Sequence, residues 1–97
     1  AIFASTDVMA LGVIKAVHEK GLKIPADISV IGFDNINTTG VCDPPLTTVD
    51  IPKEKIGNML AEIMVGRIEN GRKGAASSYT VETNFIIRKS VGPPRGI

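Results

Sequence analysis

Five side chains hold what chemistry this chain can offer: Thr6, Asp7, His18, Asp34 and Cys42. Asp34 is the pointed one. It closes the run "ISVIGFD", in which Ile28, Val30 and Ile31 are strand formers that favour burial. A carboxylate resists burial unless it is paired. Set at a strand end, it can accept two hydrogen bonds from hydroxyl or ring N–H groups. Each such bond to a charged acceptor contributes about 1.5–3 kcal/mol net. That is the chemistry of gripping a small polar ligand. The same residue can instead begin an Asx turn and shape only its own loop, and the pattern leaves both readings open. Thr6 brings a hydroxyl in "STD" after the first apolar run. Asp7 and Asp34 are formally a carboxylate pair, but Asp7 already has a sufficient task at the positive end of a helix.

The remaining candidates are weaker. No Cys, Asp or Glu is spaced to chelate a metal with His18, which points to a surface or interface position. Cys42 has no base beside it and reads as a packed or exposed thiol rather than a nucleophile. The motifs GxGxxG, GxxxxGK[ST], GxSxG, HExxH and CxxC do not occur. No cofactor or metal is therefore called for. A small α/β enzyme would need a nucleophile, a base and an orienter together, and none is assembled. Lys53, Lys55, Arg67, Arg72 and Lys73 read as solvated charges.

The elements that must position Thr6 and Asp34 follow from the apolar spacing. "AIFA" (1–4) reads as a short buried strand. Ser5 or Thr6 can cap a helix whose face is Ala10, Val13, Ile14 and Val17, at i, i+3, i+4 and i+7, with Leu11 widening the stripe. Gly21 is the expected residue past its end. "ISVIGF" is apolar nearly throughout, as a parallel strand covered on both faces would be. Residues 1–33 thus form a βαβ unit of the usual length. In an open parallel sheet, ligands bind beyond the carboxyl ends of the strands. Neighbouring strands lie about 4.8 Å apart, so Thr6 and Asp34 can face one crevice.

Residues 34–45 are loop, and "LTTV" (46–49) is a third strand. A helix over 52–69 starts near Pro52 and carries the stripe Ile56, Leu60, Ile63, Met64 and Ile68. Gly57 and Gly66 weaken that helix by up to ~1 kcal/mol each relative to Ala, so tertiary contact or close packing must offset them. Residues 71–78 read as a flexible polar loop. "YTVETNFII" alternates Tyr79, Val81, Thr83, Phe85 and Ile87 against Thr80, Glu82 and Asn84, a half-exposed strand. The tail "SVGPPRGI" has no pattern. The fold class is α/β, built on a parallel-sheet βαβ unit.

Composition narrows the partners. The 97 residues are 43% hydrophobic and 4% aromatic with a net charge of +1. That is enough for a core and gives no electrostatic footprint for nucleic acid or an anionic membrane. A lone cysteine fits a reducing compartment. No apolar run approaches the ~20 residues of a membrane span. No basic region or cleavage pattern of a signal peptide is visible. Opening on a strand without a Met reads as a fragment or processed product, whose exposed core edges would favour self-association.

Three stretches in order, "FASTDVMALGVIKAVHEKGLKIPADISVIGFDNI", "DPPLTTVDIPKEKIGNMLAEIMVGRIENG" and "RKSVGPP", resemble the C-terminal part of the lac-repressor/galactose-repressor family of bacterial transcription regulators. The likeness runs from Phe3 to about Pro94. It implies a cytoplasmic regulator with a helix-turn-helix headpiece for operator DNA, which this chain lacks. Behind the headpiece it implies a two-lobed core like that of periplasmic sugar-binding proteins, with a sugar or purine effector between the lobes. It implies that Asp34, the acid of "GFDN", hydrogen-bonds the effector. Thr6 stands where the family's "AND" motif carries Asn; it keeps a hydroxyl but has a shorter reach. Asp7 matches the motif's structural acid. Leu11 and Cys42 fall on positions of the family's dimer interface, implying a homodimer or higher oligomer.

The same resemblance implies that residues 1–49 belong to the C-terminal lobe and the helix of 50–70 to the N-terminal lobe. Residues 71–97 would then be a flexible loop, a returning strand and a tail. Ligand would act by population shift, favouring one lobe arrangement and so one headpiece spacing. A fragment of a periplasmic sugar-binding protein of a transport system would share the fold without the DNA; the upstream coding sequence separates the two readings.

Overall fold

The computed structural model describes residues 1–71 and 74–96. Arg72 and Lys73, expected as solvated charges in the 71–78 loop, and Ile97, in the tail, lie outside the described residues. The chain divides into two units, Ala1–Ile51 with the segment from Asn84 onward, and Pro52–Thr83.

The first unit is built on short strands. β1 (Ile2–Phe3) pairs in parallel with β2 (Val30–Ile31), Ile2 opposite Val30 and Phe3 opposite Ile31. Parallel bridges Ile31–Thr47 and Asp34–Asp50 carry the pairing on to β3 (Thr48–Asp50). β4 (Asn84–Ile86) then runs antiparallel to β3, with Val49 opposite Phe85. Between β1 and β2 lies α1 (Asp7–Glu19), the helix of the expected βαβ unit, and a 3-10 turn spans Asn37–Gly40.

α1 forms where its spacing placed it. Thr6 is the N-cap, its Oγ1 accepting from the Met9 amide at 3.2 Å. This satisfies one of the donors that a helix start leaves open. Gly21 follows the C-cap at φ +71°, a conformation that glycine adopts without strain. Ala10, Ile14 and Val17 are buried and Val13 is half-buried. Ala4, Ala10, Ile14, Val30 and Leu46 make the core, and Leu11, Val13, Ile24, Ile28 and Cys42 pack against it.

β1 is not the buried strand that its composition suggests. Ile2 lies at the edge of exposure and Phe3 is 64% exposed, because β1 is paired along one edge, with β2. The strand expected over 79–87 is likewise reduced to Asn84–Ile86, the length over which β3 offers partners. Its faces are also reversed from expectation. Phe85 and Ile87, on the apolar side of the alternation, are exposed, and Ile86 is half-buried. The tail expected without pattern closes the sheet instead. Ser90 is fully buried, and its hydroxyl donates to the Val30 carbonyl at 2.6 Å and accepts from the Thr47 amide at 2.8 Å.

The second unit holds α2 (Lys53–Glu69), with Pro52 as its N-cap residue. The stripe expected to be buried is not. Leu60, Met64 and Ile68 are exposed, and Ile56, Met59 and Ile63 are half-covered. Amphipathic burial needs a facing surface. Within this unit Tyr79 and Val81 share a concavity with Ile56, Met59, Leu60 and Ile63, too narrow a cover for the whole stripe. Among the described residues a Cβ at Gly57 or Gly66 would meet nothing within 4 Å, so close packing is not what offsets these two glycines.

Candidate functional site

The crossover brings Thr6 and Asp34 to the same end of neighbouring strands. The Asp7 amide donates to the Phe33 carbonyl at 3.0 Å. Thr6 and Asp34 therefore each stand one residue from a directly bonded pair. Thr6 Oγ1 accepts the Met9 amide, which leaves its own proton as the group it can offer.

The backbone at Asp34 is strained. Asp34 has φ +129° and Asn35 φ +60°, a region that L-residues other than Asn and Asp rarely enter. Such residues cost about 1–3 kcal/mol each, persist where their surroundings over-determine them, and cluster at ligand sites. The restraints here are explicit. The Asp34 amide donates to the Val49 carbonyl at 2.9 Å. The Asn35 side-chain amide donates to Asp50 Oδ1 at 3.0 Å, and its oxygen accepts from Arg88 Nη2 at 2.9 Å. The Ile36 amide donates to Asp7 Oδ2 at 2.8 Å.

Asp7 is thus neither ligand-facing nor half of a catalytic dyad. It is fully buried, and its other oxygen accepts from the Thr48 hydroxyl at 2.6 Å. The motif acid ties the start of α1 to the Asp34 turn and to β3. Gly32 exists for the same reason: a Cβ there would collide with Asp7 Oδ1 and lie 2.9 Å from Leu46 Cδ2.

His18 is exposed in the last turn of α1. Leu11 and Cys42 are half-buried against the core, with the Cys42 thiol directed at the carbonyls of Thr39 and Pro44 at 3.4 and 3.2 Å. Among the described residues no group of three His, Cys, Asp or Glu side chains is placed to hold a metal ion. No helix among them is long and apolar enough to cross a membrane.

Sequence reasoning passed over Arg88, Thr39 and Ser90. A signal was present in "TT" of "LTTV". Two hydroxyls inside a strand covered on both faces must find hydrogen-bond partners. Thr47 and Thr48 are both fully buried.

The model of the periplasmic binding protein-like domain matches residues 1–91. The chain belongs to this family. Among relatives of known role, the HTH-type transcriptional repressor PurR of Proteus mirabilis is 44% identical over 91 residues, covering 94% of this chain and 26% of its own length. The chain thus spans about a quarter of the curated relatives it matches. A LacI family transcriptional regulator from Enterococcus faecalis, solved with bound ribose, superposes with a TM-score of 0.86 at 35% identity, over 97% of this chain and 35% of that one. The lac repressor dimer bound to operator and an anti-inducer superposes with a TM-score of 0.80 at 28% identity, over 92% of this chain and 30% of that one. The resemblance to the lac-repressor/galactose-repressor regulators holds in sequence and in fold, and all three relatives are named as transcriptional regulators or repressors.

Proposed function

We propose that this chain is the effector-binding and dimerisation part of a bacterial DNA-binding transcriptional regulator of repressor type, taking a small sugar or a purine-like ligand. The observation that supports it most is the Asp34 turn. A strained backbone restrained by three other segments fixes the turn that carries Asp34 at the carboxyl end of a parallel strand, the end beyond which open α/β sheets take ligands. Asp34 accepts hydrogen bonds from ligand hydroxyl or ring N–H groups, and the Thr6 hydroxyl donates its proton beside it. In this reading residues 1–49 are part of the C-terminal lobe and α2 belongs to the N-terminal lobe. Leu11 and Cys42 meet a second copy of the chain. Operator DNA is read by a helix-turn-helix outside this chain, in the cytoplasm, and ligand shifts the balance between two lobe arrangements.

The test is calorimetric titration of the full-length protein with D-ribose, cellobiose, adenosine and hypoxanthine, before and after Asp34→Ala. The expected result is heat of binding with one of these ligands that the substitution abolishes while helical content is retained. A variant that titrates like the unmodified protein would refute the role of Asp34. An upstream secretion signal in place of a helix-turn-helix would refute the regulator and favour a transport binding protein.

A further inference from the structure

Arg88 lies just beyond β4, far along the chain from the turn that its side chain reaches. Its Nη1 donates to Thr39 Oγ1 and to the Leu46 carbonyl, both at 2.8 Å, and its Nη2 donates to Asn35 Oδ1 at 2.9 Å. The Arg88 amide is anchored separately, donating to Thr47 Oγ1 at 2.9 Å. A guanidinium can only donate, and an ionised carboxylate can only accept. Arg88 on one side and Asp50 on the other therefore fix the Asn35 amide the same way round. That amide belongs to the residue after Asp34, in the left-handed region at φ +60°.

We infer that Arg88 is a positioning residue for Asp34, holding the positive-φ turn through Asn35; this rests on the ligand role proposed for Asp34. The fork matters more than the charge. A planar guanidinium spans three acceptors at once, whereas a lysine ammonium is a point charge on a flexible stem and cannot reproduce that spacing. Thr39 and the Leu46 carbonyl hold the guanidinium where it can meet Asn35. Without Arg88 the other side of the amide keeps only the Thr39 hydroxyl, at 3.1 Å, a neutral donor whose proton the Ile36 carbonyl also takes at 2.7 Å.

Arg88→Lys tests this in the full-length protein by amide hydrogen exchange, which needs no ligand. The reporters are the amides of Asp34, Asn35 and Ile36, which donate to Val49 O, Thr48 Oγ1 and Asp7 Oδ2. Exchange at these three is expected to rise about tenfold, the equivalent of roughly one charge-assisted hydrogen bond. The Ile14 amide in α1 should keep its rate. Unchanged exchange at the turn overturns the inference. So does equal acceleration at Ile14, which would make Arg88 a general stabiliser. Titration with D-ribose and adenosine separates this inference from the reading beneath it. If Asp34→Ala binds like the unmodified protein, the ligand role of Asp34 fails and the exchange result stands by itself. If Asp34→Ala loses binding while Arg88→Lys keeps full affinity, the positioning role fails and that of Asp34 survives.

Discussion

Removing Asp7 should shrink the effect of a second substitution at Thr48. Asp7 is fully buried and accepts from the Thr48 hydroxyl at 2.6 Å and the Ile36 amide at 2.8 Å. Asp7→Ala strands both donors. An unsatisfied buried group costs about 1–3 kcal/mol, so the pair amounts to roughly 2–6 kcal/mol. The lost charge in the first turn of α1 adds about 0.3–1 kcal/mol. Against a domain stability of about 5–15 kcal/mol this is a large fraction. Thr48→Val alone removes a hydrogen bond to a buried carboxylate and should cost about 1.5–3 kcal/mol. In the Asp7→Ala background the Thr48 hydroxyl has already lost its acceptor and keeps only the Asn35 amide, which donates to it at 3.4 Å. Replacing it with a methyl group then relieves a desolvated donor but strands the Asn35 amide, so Thr48→Val should cost less than it does alone. Urea denaturation of the two single variants and the double variant, followed by circular dichroism, gives the coupling directly. A value of about 1–3 kcal/mol is expected for groups in contact. Additive losses would refute the account of Asp7 as the acceptor that fastens α1 to β3.

Four further outcomes are expected. Ser90→Ala should lower stability by about 1–3 kcal/mol and speed exchange of the Thr47 amide, which donates to the Ser90 hydroxyl at 2.8 Å; an unchanged melting temperature would refute it. Gly32→Ala should destabilise by about 1–3 kcal/mol through overpacking against Asp7 and Leu46, while Gly57→Ala, in open space, should stabilise by up to ~1 kcal/mol in thermal melts. Leu11→Lys should shift sedimentation of the full-length protein toward monomer; an unaltered mass would remove Leu11 from the interface.

The βαβ unit was legible because its signals are local. Thr6, Ala10, Ile14 and Gly21 each report a cap, a face or a stop within a few residues, and the structure uses each as such. What the sequence hid was long-range. The bonds from Arg88 to Asn35 and from Ser90 to Val30 join residues 53 and 60 positions apart, and no periodicity marks them. Asp34 shows both sides of this. Its place after an apolar run was readable, but its φ of +129° was not, since the strain is imposed by partners elsewhere in the chain. The stripe of α2 misled for a related reason. Period-3.6 spacing states that a face wants cover, not that this chain supplies it, and Leu60 remains 61% exposed.

The Ser90 contact also sets a timetable for synthesis. Val30 leaves the ribosome 60 residues ahead of the hydroxyl that its carbonyl accepts from. At about 5–20 residues per second, Val30 waits several seconds for that partner, whereas Ile31 and Gly32 find Thr47 much sooner. Through that interval the Val30 end of β2 is open to a neighbouring polypeptide, so slower or denser translation should raise the insoluble fraction before it alters anything in the finished molecule.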